Sequence, residues 1–273
     1  MKYNINKGKY KAVFSDIDGT ILNTSNKIPI KTKKKILEMN KKGFPFILVS
    51  ARMPKGMVEI QNQLEIKNPM ICYSGAMIVD GEGNSIYNVV MQKDESMELK
   101  KFIQDTAPEV SINIYSGDHW MVEDMKEFWV DQEMKITKVL PEKVSFNDET
   151  IYTAVNKILC MGPTAQISRL EKNLLQQFPG ICIYKSKDTY LEIMSAEASK
   201  SAAIHMLERK LGISRDEIIA FGDGHNDIDM IQYAGLGVAM MNASDEVKQA
   251  ADLVTDCNDN EGVRQILDLA FEE

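Results

Sequence analysis

Short apolar runs alternate along the chain with segments in which apolar residues recur at helical spacing. Before residue 80 the runs are 11–14, 44–49 and 70–73, and the helical segments are 30–42 and 53–64. Such alternation predicts βαβ units, in which parallel strands are buried on both faces. The same rhythm returns near the end of the chain. The elements predicted there are helix 199–211, strand 218–221, helix 226–232, strand 236–240, helix 244–251 and a helix from 260 onward.

The middle of the chain has a different pattern. Residues 80–84 (Asp-Gly-Glu-Gly-Asn) form a turn cluster that predicts a hairpin. Beyond it, predicted helices (94–105, 124–135, 163–178) mix with strand-like runs (154–161, 181–185, 189–194). We therefore predict an α/β fold with a Rossmann-like parallel-sheet core, helices on both faces, formed by residues 1–84 and 196–273. Residues 85–195 are predicted to be an inserted α+β domain.

Composition and charge limit the classes of function. Of the 273 residues 44% are hydrophobic and 26% charged, which excludes a disordered or collagen-like chain. The net charge of −8 argues against a general nucleic-acid binder. No apolar run reaches the roughly 18 residues that span a bilayer, no secretory signal pattern opens the chain, and the four cysteines form no CxxC pair. We expect a cytoplasmic protein without membrane or nucleic-acid partners; no oligomeric state is predicted.

Acidic residues follow two of the predicted strands. Asp16 and Asp18 come directly after strand 11–14, on a turn made tight by Gly19, and Asp223 and Asp227 come after strand 218–221. In open α/β sheets ligands bind beyond the carboxyl ends of the strands, so these carboxylates can converge on one cation. Few, hard oxygen ligands suit Mg²⁺ that keeps water and a substrate phosphate. The second string nearly matches a dinucleotide fingerprint, but an acid at its last glycine position argues against that interpretation.

A hydroxyl and a lysine complete the pattern. Ser50 and Ala51 follow strand 44–49, where a hydroxyl and consecutive backbone N–H groups can hold a phosphate oxygen. Lys200 falls in the first turn of helix 199–211, after the N-cap Ser199. A cation faces the positive end of the helix dipole there, a placement that makes sense when an anion also binds. Together these segments predict a phosphate-plus-magnesium site.

The motifs resemble the haloacid dehalogenase-like hydrolase superfamily, specifically the Cof-type phosphatases with a class II cap. The resemblance covers most of the predicted core. It rests on DIDGTIL at 16–22, SAR at 50–52, SK at 199–200, GDGHNDIDM at 222–230, AMMNAS at 239–244, AAD at 250–252 and the segment 258–263. The inserted domain matches only in length and position, and it would be the cap that sets substrate specificity.

The resemblance implies a role for each matched residue. Asp16 would be the nucleophile that forms an aspartyl-phosphate, and Asp18 the general acid and base. Mg²⁺ would be bound by Asp16, the backbone carbonyl of Asp18 and Asp223, with Asp227 orienting the site or holding a metal-bound water. The phosphoryl group would be held by the remaining residues, namely Ser50, Lys200, Asn226 and the backbone of Ile17 and Ala51.

The function expected from this resemblance is a Mg²⁺-dependent phosphatase of small phosphorylated metabolites, with sugar phosphates as the favoured class. A phosphomutase acting on hexose phosphates shares such a core and stays open at this point. So does a catalytically idle phosphate-binding or regulatory protein, although its expected feature, loss of a key acid or lysine, is not found in the sequence.

Overall fold

The computed structural model describes residues 5–271, and these form two compact units. The first unit takes the chain up to Ala51, Met57–Ile86 and the chain from Ser199 onward; the second takes Arg52–Gly56 and Tyr87–Ala198. The hydrophobic pattern does not predict that residues 52–56 belong to the second unit. The boundaries 84/85 and 195/196 that we expect for the functional domains stay a prediction. Within residues 5–271 no helix has both the length and the apolar character needed to cross a membrane.

The secondary structure consists of short strands and mostly longer helices. The strands are β1 (Ala12–Ser15), β2 (Phe46–Val49), β3 (Met70–Cys72), β4 (Met77–Val79), β5 (Ser85–Asn88), β6 (Ser111–Ser116), β7 (His119–Val122), β8 (Glu142–Lys143), β9 (Lys157–Met161), β10 (Ile181–Lys187), β11 (Tyr190–Ser195), β12 (Ile218–Gly222), β13 (Leu236–Ala239) and β14 (Leu253–Val254). The helices are α1 (Ile30–Lys41), α2 (Pro54–Leu64), α3 (Lys93–Thr106), α4 (Phe128–Thr137), α5 (Thr164–Gln177), α6 (Lys200–Leu211), α7 (Ile228–Tyr233), α8 (Asp245–Ala250) and α9 (Gly262–Ala270). The predicted elements of the first unit are confirmed to within a few residues at each end.

An eight-stranded sheet forms the centre of the first unit. Its order is β14-β13-β12-β1-β2-β3-β4-β5, and from β14 to β3 every neighbouring pair is parallel. All four residues of β1 are buried, because β1 lies between β12 and β2 with helices covering the sheet. The predicted hairpin is present as a turn, in which the Asp80 N–H donates to the Asn84 carbonyl between β4 and β5. This architecture confirms the predicted α/β fold class.

A six-stranded sheet, ordered β10-β11-β9-β6-β7-β8, forms the second unit. One face packs on α3 and α5 through a buried apolar cluster that includes Leu99, Ile114 and Leu170. The sequence pattern did not predict β6 and β7. The other face of these strands is also buried, and there Trp120 donates a hydrogen bond to Asn113. Because this polar residue is buried too, the alternation of apolar and polar residues does not identify a buried strand. Helix α4 begins at Phe128, four residues later than predicted.

Candidate active site

Three neighbouring parallel strands end at the same edge of the large sheet and place the candidate residues there. Asp16 follows β1, Ser50 follows β2 and Asp223 follows β12. The Asp16 N–H donates to the Phe221 carbonyl at 2.9 Å, which ties the loop after β1 to β12. These residues are far apart in the sequence, but they lie at the same edge of the sheet because their strands are parallel neighbours.

Lys200 links two of the carboxylates. Its side chain is fully buried, and Nζ donates to Asp16 Oδ1 at 2.9 Å and to Asp227 Oδ1. Ser199 caps α6 by accepting the Ala202 N–H at 3.1 Å, so Lys200 is the first residue of the helix. The first turn of α6 contains no acidic residue, and its Ser201 N–H donates to Asp229 Oδ2 at 2.8 Å. The carboxylates of Asp16 and Asp227 supply the negative charge that pairs with Lys200.

The start of α6 rests on an unusual turn. Tyr73, Ser74 and Gly75 all have positive φ angles (50°, 48° and 106°). A Cβ atom at Gly75 would lie 2.0 Å from the Ser199 carbonyl oxygen, so only glycine permits this approach. The Ser74 N–H donates to the Ser50 carbonyl at 2.9 Å, and this bond holds the strained turn against β2. The turn therefore fixes the position of Lys200 relative to the loop after β2.

Asp223 is held from two sides. Its Oδ1 accepts from Thr20 Oγ1 at 2.7 Å, and Asn242 Nδ2 lies 3.4 Å from its Oδ2. Gly19, with φ of +85°, passes so close that a Cβ there would lie 2.2 Å from Asp223 Oδ2. The glycine of the DxDGT motif is thus required both by its backbone conformation and by the space that Asp223 occupies.

Asp227 has both carboxylate oxygens engaged. Oδ1 accepts from Lys200, while Oδ2 accepts the backbone N–H groups of Asp223 at 2.9 Å and Gly224 at 2.8 Å. The side chain is 1% exposed. This geometry lets Asp227 orient Lys200 and the loop that carries Asp223.

The donor set fits a divalent cation. One oxygen from each of Asp16, Asp223 and Asp227 lies within 4.8 Å of the others, and hard carboxylate oxygens are the ligands that Mg²⁺ and similar ions prefer. Three carboxylates against the single charge of Lys200 leave a formal charge of −2 in a largely buried site. A divalent cation cancels that charge.

The ionisation of the cluster reflects the same excess of negative charge. Burial, and then the neighbouring carboxylate of Asp227, raises the pKa of Asp16 well above its ordinary range. Burial is also the main cause that raises the pKa of Asp223 to about 6. For Lys200, burial alone would lower the pKa, but the carboxylates of Asp16 and Asp227 outweigh it and raise the pKa. A cation at this site would stabilise the ionised carboxylates.

The other predicted residues lie in the loops beside this cluster. Ser50 is buried, and its N–H donates to the Ile71 carbonyl. Asn226 Nδ2 lies 3.5 Å from Ser74 Oγ. Ile17 is buried, Ala51 is half-buried, and Asp18 is exposed, outside the group of three carboxylates. The structure therefore brings together Asp16, Lys200, Asp223 and Asp227.

Two residues that contact Asp223 were absent from the predicted site. Thr20 lies inside the DxDGT string, and Asn242 lies inside the string at 239–244. Both strings were noted as motifs, so a signal existed. Their contact with Asp223 depends on loop conformations, which residue spacing does not specify.

The comparison with known families decides the membership of the chain. A family model described as haloacid dehalogenase-like hydrolase matches residues 13–267. The chain is a haloacid dehalogenase-like hydrolase. The family that the motifs resemble is thereby confirmed, and so is the expectation that the protein is an enzyme.

Several relatives of this hydrolase match over nearly their whole length. A protein from Haemophilus influenzae named "Putative phosphatase" is 36% identical over 264 residues, which cover 97% of this chain and 99% of the relative. A crystal structure of a haloacid dehalogenase-like hydrolase from Bacteroides thetaiotaomicron is 28% identical, with a TM-score of 0.85 and coverage of 95% and 99%. A structure described as a HAD subclass IIB sugar phosphatase is 26% identical, with a TM-score of 0.82 and coverage of 95% and 98%.

Proposed function

We propose that this hydrolase is a Mg²⁺-dependent phosphatase that cleaves small phosphorylated metabolites, sugar phosphates among them, through an aspartyl-phosphate on Asp16. The observation that carries the proposal is the buried cluster of Asp16, Asp223 and Asp227 around Lys200, with its formal charge of −2. Family membership and the phosphatase names of the relatives support the same reaction class.

The first half of the reaction is transfer to the protein. An oxygen of Asp16 attacks phosphorus, the bond between phosphorus and the substrate oxygen breaks, and Asp18 gives its proton to the departing alcohol. Lys200 holds Asp16 by the 2.9 Å bond to Oδ1, which limits the side-chain orientations from which it can attack.

The second half returns the protein to its initial state. Asp18 takes a proton from water, the water oxygen attacks phosphorus, and the bond to Asp16 breaks to release inorganic phosphate. The proton that Asp18 gives to the alcohol is thus replaced by one from water, and Asp18 is exposed, so water can reach it.

Charge neutralisation and positioning account for most of the catalysis in such transfers. Asp16, the Asp18 carbonyl and Asp223 would hold the magnesium ion, which would supply positive charge to the carboxylate and phosphoryl oxygens. We assign phosphoryl binding to the Ser50 hydroxyl, Lys200, Asn226 and the backbone N–H groups of Ile17 and Ala51. Asp227 keeps Lys200 and the Asp223 loop in place through the three hydrogen bonds that it accepts.

Sugar phosphates are the first substrates to test, because a structural neighbour at 26% identity is described as a sugar phosphatase. We assign the choice of leaving alcohol to the inserted domain, residues 85–195. A small phosphate ester is thus the partner that the proposal requires.

Asp16→Asn provides the decisive comparison. The wild-type protein is expected to release phosphate from aryl and sugar phosphates with Mg²⁺ and to lose this activity with excess chelator. Because an amide does not act as the nucleophile, Asp16→Asn should lower kcat by at least about 10³-fold. The measurement is phosphate release across a panel of phosphorylated metabolites.

Asp245→Asn is the matched control, since Asp245 is 93% exposed and forms only a loose pair with Lys248 at 3.9 Å. It should match the wild type. The proposal is wrong if the wild type releases no phosphate from any ester in the panel, or if Asp16→Asn retains the wild-type rate.

A further inference from the structure

Asn242 connects three loops that are distant in sequence. It follows β13, and its Nδ2 donates to the Gly19 carbonyl at 2.9 Å in the loop after β1. The same nitrogen lies 3.4 Å from Asp223 Oδ2 in the loop after β12. Its Oδ1 accepts the Asn258 N–H at 3.1 Å in the segment that follows β14. One exposed carboxamide therefore uses its two N–H groups and its oxygen on three separate backbone segments.

Asn258, the partner in the third contact, is itself held by a hydrogen bond. Asn258 is buried, and its Nδ2 donates to the Leu22 carbonyl at 2.8 Å. The loop that begins at Gly19 is consequently tied at one end to Asn242 and at the other to Asn258. Asn258, which donates to Asn242 Oδ1, is thus itself held in place.

The hydrogen bond from Asn242 restricts the orientation of the Asp223 carboxylate. Thr20 Oγ1 donates to Oδ1 at 2.7 Å, which by itself leaves the carboxylate able to turn about this bond. A second N–H directed at Oδ2 restricts the carboxylate plane and leaves the remaining lone pairs for another ligand. The donor set of the candidate cation site includes Asp223, so the carboxamide acts on the site through this residue.

We propose that Asn242 is a positioning residue for the divalent cation: it holds Asp223 and the Gly19 carbonyl at a fixed distance and so sets the affinity of the site for the ion. The inference rests on the proposed function, since it assumes that the carboxylate cluster binds Mg²⁺. A core-packing role does not account for the side chain, because Asn242 is exposed and its contacts are polar.

Two neutral substitutions test the carboxamide. Asn242→Ala removes both the donor and the acceptor. Asn242→Leu does the same while keeping a side chain of similar size, and it adds no charge near the cation site. Loss of groups that orient metal ligands typically weakens metal binding 10–100-fold, and we expect the Kd for Mg²⁺ to rise within this range for both variants.

The experiment measures Mg²⁺ binding to metal-free protein by titration calorimetry and by the rise in Tm, with no substrate present. Asn260→Ala is the control, because Asn260 is an exposed asparagine nearby whose Nδ2 donates to Asp256 and not to Asp223. The control should bind Mg²⁺ like the wild type. Should Asn242→Ala fold poorly, as judged by its Tm without metal, the neutral and similar-sized Asn242→Leu gives the same comparison.

A wild-type Kd in both Asn242 variants would overturn the proposal, as would an equal loss in Asn260→Ala or a wild-type protein that binds no Mg²⁺. Phosphate release by the wild type is scored separately. Retained phosphatase activity with unchanged Mg²⁺ affinity in the variants contradicts the role of Asn242 alone, whereas weakened Mg²⁺ binding with no phosphatase activity in the wild type contradicts the proposed function alone.

Discussion

At the scale of single residues, the site combines buried like charges that would repel one another without a compensating ion. Lys200 neutralises one unit of charge, and hydrogen bonds from Thr20 and two backbone N–H groups reduce the cost for Asp223 and Asp227. The remaining charge is the physical reason why the fold and the cation should be linked: an ion that binds the folded chain stabilises it.

This linkage makes the stability of the metal-free protein depend on pH. The folded-state pKa of Asp223 is about 6, above its ordinary value of 3.8, and that of Asp16 is also raised. Because of Asp223, the folded protein binds more protons than the unfolded chain between about pH 4 and 6, and the stability from this group is lost as the pH rises through that window. The raised pKa of Asp16 changes stability in the same direction. We expect the Asp223 contribution to cost on the order of 2–3 kcal/mol by pH 7.

Saturating Mg²⁺ should restore this loss, because it favours the ionised carboxylates. The difference in Tm between protein in Mg²⁺ and protein in chelator is thus expected to grow from pH 5 to pH 7, as followed by differential scanning calorimetry. In Asp223→Asn, which has no carboxylate to titrate, the growth should be smaller. A difference that shrinks with rising pH would contradict the prediction.

The sequence predicted which residues form the site, but it did not predict the contacts between them. Asp16, Lys200, Asp223 and Asp227 were identified because each lies at a predicted strand end or helix start. The sequence did not predict that Lys200 bridges Asp16 and Asp227, because these hydrogen bonds depend on the position of α6 relative to the sheet. The catalytic and binding roles assigned to these residues remain predictions.

At the scale of elements, the turn at residues 73–75 positions the start of α6. The turn follows β3, a short buried strand that the pattern predicted, but its left-handed conformation left no mark on the pattern except Gly75. Helix α6 itself was predicted with its N-cap Ser199, and in the structure it ends at Gly212, whose φ is +66°. The local signals define the helix, whereas the turn positions it.

Gly75→Ala should therefore destabilise the protein and reduce its activity. The added Cβ would have to displace the Ser199 carbonyl, 2.0 Å away, at a φ of +106°. We expect a loss of at least about 3 kcal/mol in the free energy of unfolding, measured in urea, with a lower kcat because Lys200 moves with the helix start.

Gly83→Ala is the matched control for backbone strain. Gly83 also has a positive φ of +89°, but among the described residues no atom beyond its chain neighbours lies within 4 Å of a Cβ there. Its loss should be about 1–2 kcal/mol, with activity retained. Equal effects of the two substitutions would show that the contact with Ser199 is unimportant.

At the scale of the whole molecule, the two units differ in how far apart in the sequence their paired strands lie. The first unit is assembled from separated segments: β1 pairs with β2, about thirty residues later, and with β12, about two hundred residues later. Alternating apolar runs predicted these strands but not their order. In the second unit all six strands lie between residues 111 and 195, and the pattern missed β6, β7 and the two-residue strand β8.

This difference predicts how fragments behave. Residues 87–198 contain the complete six-stranded sheet and the apolar cluster beneath α3 and α5, so the isolated segment should fold by itself. Residues 1–86 lack β12, β13 and β14, which leaves one edge of β1 unpaired and its buried face uncovered. We expect a cooperative thermal transition by circular dichroism for segment 87–198 and none for segment 1–86. Segment 52–56, which belongs to the second unit, can be restored by fusion; if 87–198 stays unfolded even then, the second unit owes its fold to the rest of the chain.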